Sequence, residues 1–317
     1  MSKLDFIQGV NLNDVRLLGK KEAIIDKFAY TRSINIIWAP SGSGKTEFMF
    51  GISKLFLEKG QEIVYIDVDN GLDILIERGY DTFIENARGK MKYINADMFD
   101  SAKDGIMEVI EKIRLEAKND IYKNCVFVLD SLKFFLDGEM YDERRIYRLI
   151  SFCKAIRRNG GMVWVINHAT KKGDAMKGGQ GLIDAVDECW QMKVLPESAQ
   201  LFNYVIEPEK YRLGIDKIAK IGFAMNKTTY ELTSLDVDIA DMNESEKEFV
   251  EKVKNKLSDE KEGLSQNKLL ESLELDKGDK AKITLLEKHA GRFWEVSVGK
   301  NRAKIYSLTT PIEAKSA

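Results

Sequence analysis

The sequence predicts an α/β fold, a mostly parallel sheet flanked by helices, with a small separate domain at its C-terminal end. Three observations carry that expectation. From about residue 30 to 235, short apolar runs alternate with helix-compatible stretches, the order that lays parallel strands side by side under crossover helices. Early runs such as Val126-Phe-Val-Leu129 are apolar without polar alternation, as strands buried on both faces must be. Beyond about residue 240 the texture turns charged and amphipathic, and the alternation stops.

Strands are expected at 34–38, 62–68, 125–130 and 162–167, with helices at 47–58, 101–117 and 142–158 between them. Four more strands, at 188–194, 203–207, 220–225 and 229–235, follow without intervening helices. They are expected to extend the sheet antiparallel at one edge. Residues 1–20 read as an N-terminal arm, 21–240 as the main domain and 241–317 as the second domain. There a charged helix at 244–257 precedes helices at 265–273 and 280–289, then strands at 293–298 and 303–308 joined by Gly299-Lys-Asn-Arg302. Helix–turn–helix followed by a hairpin is a winged-helix pattern.

The 317 residues are 32% charged and 44% hydrophobic, as in a globular protein, and no apolar run reaches membrane-spanning length. A net charge of −2 gives no global basic field, so any nucleic-acid contact must come from local patches. The N-terminus lacks signal-peptide architecture, and Cys125, Cys153 and Cys189 are scattered in apolar contexts. They read as reduced core residues of a cytoplasmic protein. Two histidines and no Cys-x-x-Cys argue against structural zinc.

The strongest local signal is Ala39-Pro-Ser-Gly-Ser-Gly-Lys-Thr46, set between an apolar strand and a helix. That context makes a phosphate-binding loop. Gly42 and Gly44 let the backbone curl so that its N–H groups converge on an anion at a helix N-terminus. Pro40, Ser41, Gly42, Ser43, Gly44, Lys45, Thr46 and Glu47 are the expected cradle for ATP. Lys45 would meet the β- and γ-phosphates, and the Thr46 hydroxyl would ligate Mg²⁺. Ala39 stands where the usual pattern has its first glycine.

Four further features fall at strand ends or just after them. Asp130 closes Cys125-Val-Phe-Val-Leu-Asp130, where a carboxylate can hold Mg²⁺ beside the phosphate loop. Asp69, in Asp67-Val-Asp69-Asn70, is the candidate to orient the attacking water; alternatively both aspartates cap the next helix. His168, after Asn167, is placed to sense the γ-phosphate. The next segment, 169–181, has four glycines and three lysines against one aspartate, a mobile composition able to track a single-stranded backbone. Its candidate DNA contacts are Lys171, Lys172, Lys177, Gly178 and Gly179; an ordinary solvated loop is the alternative. Lys210 and Arg212, spaced by one residue, project from the same side of an extended segment. They read as a pair that completes a neighbouring subunit's ATP site, or as a surface basic pair.

In their order these elements resemble the RecA-like ATPase core over about residues 20–235, and within it the hexameric RepA-type helicases of plasmid and phage replication. The resemblance implies an ATP- and Mg²⁺-dependent DNA helicase or translocase, a ring-shaped homo-oligomer, most simply a hexamer, acting on single-stranded DNA. It implies catalytic roles for Lys45, Asp69, Asp130, His168 and Arg212, with Asp69 standing where relatives carry a glutamate. It also implies a bacterial, plasmid or phage origin, while the lack of a membrane-spanning run implies no membrane partner. A recombinase or mediator ATPase that binds single strands without unwinding is the alternative within the superfamily. A nucleotide-switched winged-helix regulator is the alternative outside enzymes. Between residues 280 and 304 seven Lys/Arg face two Glu, a local basic patch with Phe293, Trp294 and Tyr306 interleaved. That patch is a candidate contact for DNA or for a replication partner such as a primase or polymerase, and its aromatics are expected to be core.

Overall fold

The computed structural model describes residues 12–13, 16, 19–136, 141–196, 198–212, 220–237, 242–260, 262–299 and 302–308. The chain divides into two compact units, Met1–Val237 and Asp238–Ala317.

The first unit opens with a small hairpin, β1 (Ala23–Ile25) and β2 (Ala29–Tyr30). Its body is a nine-stranded sheet. The strands are β3 (Ile34–Ala39), β4 (Glu62–Asp67), β5 (Met91–Asn95), β6 (Cys125–Asp130), β7 (Met162–His168), β8 (Glu188–Leu195), β9 (Leu201–Tyr211), β10 (Ile221–Asn226) and β11 (Leu232–Leu235). They lie in the order β11-β10-β9-β8-β3-β7-β6-β4-β5. The six strands from β8 to β5 pair in parallel, and β9, β10 and β11 add an antiparallel edge. The parallel body and antiparallel extension are as expected. Helices α1 (Lys45–Glu58), α2 (Asp73–Glu77), α3 (Tyr80–Asn86), α4 (Ala102–Glu116), α5 (Leu132–Phe135), α6 (Glu143–Arg158) and α7 (Gly179–Ala185) connect the strands.

Each sheet face buries its own core. On one, Phe48, Phe50 and Phe56 of α1 meet Phe28, Trp164 and Trp190. On the other, Ile106 and Ile110 of α4 and Leu149, Phe152 and Ile156 of α6 pack against Ile36, Phe127 and Val163. The central strand β3 is buried along its whole length, which explains its lack of alternation.

Three differences from the sequence expectation have local causes. The edge strand β5 is short and half-buried, so its pattern was too weak to register. Strand β9 runs on through Pro208, because Cys189 pairs with Lys210 and Trp190 with Pro208, leaving Glu209 as the extra residue of a bulge. Strand β11 starts late: the Asn226 side chain accepts from the N–H groups of Thr228 and Thr229 and holds them in a turn.

In the second unit α8 (Glu244–Ser258), α9 (Gln266–Ser272) and α10 (Lys280–Lys288) surround Leu269, Leu270, Trp294 and Tyr306. A three-stranded sheet has the order β12-β14-β13, from β12 (Leu264–Ser265), β13 (Trp294–Val298) and β14 (Lys304–Leu308). Its basic patch is partly neutralised. Lys288 pairs with Glu246 and Lys304 with Glu287, while Lys282 lies over Phe249 and Arg292 over Phe293. Trp294 and Tyr306 are fully buried, so they serve the core as expected. Lys300 lies outside the described residues.

Candidate functional site

Because β8, β3, β7, β6 and β4 are neighbours running the same way, the ends of four of them bring Ala39, His168, Asp130 and Asp67 to one sheet edge. Residues 40–44 leave β3 there and curl into α1. Gly44 caps that helix at φ 72°, and a side chain on it would also meet the Tyr204 hydroxyl at 3.0 Å. The loop, with Asp69, Asn70, Arg78, Asp130 and His168, lines a cleft of roughly 830 Å³.

Lys45 is buried, and its ammonium donates to the carbonyls of Pro40 at 2.9 Å and Ala39 at 3.3 Å. Burial lowers its pKa, with Asp130 and Asp69 acting in the opposite direction. Thr46 donates its hydroxyl to Asp130 Oδ2 at 2.8 Å, and Tyr65 donates to the same oxygen at 2.9 Å. Burial, reinforced by the neighbouring Asp67, pushes the Asp130 carboxyl up to about 7. Two hard oxygen ligands, from Thr46 and Asp130, therefore already touch, and this donor set fits Mg²⁺.

The two aspartates of Asp67-Val-Asp69 have separate fates. Asp67 is fully buried and builds the turn. Its Oδ1 accepts from the N–H groups of Asp69 and Asn70, and its Oδ2 from the Tyr93 hydroxyl at 2.6 Å and the Asn70 amide at 2.8 Å. Asp69 instead reaches the cleft. Its Oδ2 lies 3.4 Å from His168 Nε2, and this contact holds the carboxyl below its ordinary range. The other ring nitrogen, Nδ1, lies 3.3 Å from Ser41 Oγ in the phosphate loop. His168 thus links β7, the turn after β4 and the loop after β3.

The segment 169–181 carries bonds of its own. Ala169 bridges to Met176, Thr170 N–H donates to Ala175 O at 2.7 Å, and Met176 is buried against the second core. Lys177 is tied to the end of β7: its N–H donates to His168 O, and its carbonyl accepts from the Asn167 amide at 2.8 Å. Lys171 and Lys172 are exposed at the tip. Gly178 and Gly179, at φ 91° and 65°, start α7.

Lys210 and Arg212 are not among the residues lining this chain's cleft. Both cap the end of α7. Lys210 donates to the carbonyls of Ile183 at 2.6 Å and Asp184 at 2.8 Å, and Arg212 donates to Asp184 O at 3.2 Å. Those carbonyls are the orphans of a helix C-terminus. The bulge turns Glu209 the other way, where it accepts from Trp38 Nε1 at 2.8 Å.

Sequence reasoning missed Arg78. It lines the cleft and forms an ion pair with Glu47 in the first turn of α1, while its carbonyl accepts from the Tyr230 hydroxyl. No motif surrounds Arg78, so only the folded path from α2 to α3 reveals it.

Two solved structures are similar to this chain. One is a KaiC-like protein from the hyperthermophilic archaeon Pyrococcus horikoshii OT3, with 14% identity and a TM-score of 0.47 over 65% of this chain and 91% of that one. The other is the RadB recombinase, with 16% identity and a TM-score of 0.47 over 65% of this chain and 92% of that one. No family model and no curated protein matches the sequence.

Proposed function

We propose that the chain is a RecA-like ATPase, and more narrowly an ATP-dependent DNA helicase or translocase of the RepA type that works as a ring on single-stranded DNA. The observation that supports the ATPase reading is the Thr46–Asp130 hydrogen bond beside the buried Lys45, which ties the glycine loop after β3 to the carboxylate that ends β6. Thr46 and Asp130 would hold Mg²⁺, which neutralises charge on the phosphates. Lys45 would leave the Pro40 and Ala39 carbonyls for the β- and γ-phosphates. Asp69, held by His168, would orient the attacking water.

The translocase reading is supported by the backbone link from Asn167 and His168 to Lys177. A γ-phosphate that disturbs His168 would disturb the lysine-bearing segment through two hydrogen bonds. Arg212 and Lys210 would act on a neighbour's nucleotide in a hexameric ring. The C-terminal unit, read as a winged helix, would meet DNA or a replication protein.

The test is strand separation of a forked duplex by purified protein with ATP, beside ATP turnover with and without single-stranded DNA. Unwinding with DNA-stimulated turnover is expected. DNA-stimulated turnover without unwinding replaces this reading by the recombinase or mediator alternative. Absence of turnover removes the ATPase reading.

A further inference from the structure

Helix α6 presents a basic stripe that the nucleotide site does not use. Its sequence, Glu-Arg-Arg-Ile-Tyr-Arg-Leu-Ile-Ser-Phe-Cys-Lys-Ala-Ile-Arg-Arg, carries six cations and one carboxylate in a chain of net charge −2. Two cations have structural duties. Arg145 donates to Leu136 O and pairs with Asp142, and Arg157 pairs with Asp187 at 2.9 Å. The other four, Arg144, Arg148, Lys154 and Arg158, form no ion pair among the described residues. At 100° per residue they fall on one face, with Tyr147 among them, opposite the buried Leu149, Phe152 and Ile156.

The outer face of α4 differs, since Lys112 pairs with Glu108 and Arg114 with Glu111. Such pairs at i,i+3 and i,i+4 stabilise an exposed helix face without an outside partner, whereas like charges at that spacing destabilise it. Four unpaired cations on one face repel one another and call for an anionic partner.

We infer that this face of α6 is a track for the phosphate backbone of single-stranded DNA. Three observations favour that occupant. The rise per residue spaces the four cations at axial intervals of about 6, 9 and 6 Å, so they form an elongated row along the helix and not a point cluster. Tyr141 and Tyr147 are 70% and 72% exposed, large aromatic surfaces left in water beside the cations, as base-stacking platforms are. Tyr141 also adjoins the lysine-bearing segment: a Cβ on Gly179 would lie 3.7 Å from its ring. A strand leaving Lys177 would therefore pass Tyr141 onto the first turn of α6. An acidic membrane surface would use the cations and the tyrosines, but not the continuity from the lysine-bearing segment past Tyr141 to the helix.

The inference rests on the reading of the chain as a single-strand motor, and the experiment separates the two. Binding of a fluorescein-labelled oligothymidylate is measured by anisotropy across a salt series. Arg144→Ala with Arg148→Ala should weaken binding about tenfold and flatten the slope of log affinity against log salt by about 1.4, since each cation lost removes about 0.7. The corresponding Arg→Lys pair should keep the wild-type slope, because a lysine still neutralises a phosphate. Tyr147→Ala should weaken binding by roughly tenfold with the slope unchanged, and Tyr147→Phe should not. If all these variants bind as wild type while Lys171→Ala with Lys177→Ala binds less, the track is wrong and the motor reading stands. If wild type ignores the oligonucleotide at low salt, both fall. If it binds phosphatidylserine–phosphatidylcholine vesicles through the same arginines instead, the occupant is a lipid surface and the DNA track is overturned.

Discussion

His168 Nε2 lies 3.4 Å from Asp69 Oδ2, although 99 positions separate the two residues in the chain. The contact joins the two strand ends that flank Asp130, and the same ring reaches Ser41 in the phosphate loop at 3.3 Å. A γ-phosphate entering the cleft would meet a connected set of side chains and not three independent ones.

Lys45→Ala removes the one buried cation of the loop. ATP turnover should fall by at least ~10²-fold, the size expected when a strong electrostatic contact to the transferring group is lost. Phosphate release at saturating ATP measures this. Near-normal turnover would show that the loop does not carry the chemistry.

The two aspartates should separate in kind. Asp69→Asn should leave nucleotide binding near normal and slow hydrolysis. Asp67→Asn should lower stability by ~1–3 kcal/mol, because a buried acceptor of four hydrogen bonds loses part of its set. Denaturant melts beside turnover distinguish them. If Asp69→Asn hydrolyses normally and Asp67→Asn does not, while the melts show Asp67→Asn still folded under the assay conditions, the water-orienting carboxylate is Asp67.

Arg212→Ala should bind nucleotide almost normally and hydrolyse it poorly. Mixing it with Lys45→Ala protein should restore part of the activity, since one interface type then holds an intact Lys45 and an intact Arg212. No rescue in demonstrably mixed rings excludes action in trans. The capping of α7 would then be the whole role of Arg212. Lys210→Ala should behave similarly but more mildly, lacking the forked donors of a guanidinium.

Glu188 gives the fold a pH dependence. It is fully buried on β8, and burial, opposed in part by Lys21, pushes its carboxyl up to about 8. Between about pH 5 and 8 the folded chain therefore binds more protons here than the unfolded chain. Its contribution to stability is fully present below that window and is lost as pH rises through it, by up to ~1.4 kcal/mol per pH unit. Glu188→Gln should remove this slope and leave the protein more stable at pH 8. Urea melts across the window measure it, and equal slopes in the two proteins would place the proton elsewhere.

The sequence by itself determined the mostly parallel body of the first unit, its antiparallel edge and the glycine loop between β3 and α1. These rest on local chemistry: apolar runs with no polar alternation need burial on two faces, and the loop's Gly42 and Gly44 both take a positive φ. It marked Asp130 and His168 for the same reason, since both close such strands. Tertiary structure alone decided which aspartate faces the cleft. Tyr93 reaches Asp67 from β5, an edge strand too short to read, and with the local bonds from Asp69 and Asn70 it holds Asp67 inward while Asp69 meets His168. It also decided where Lys210 and Arg212 point, because a single bulge residue, Glu209, sets their side of β9. The basic face of α6 is legible as composition, but which of its cations are spoken for depends on Asp187 and Leu136, contacts that only the folded chain creates.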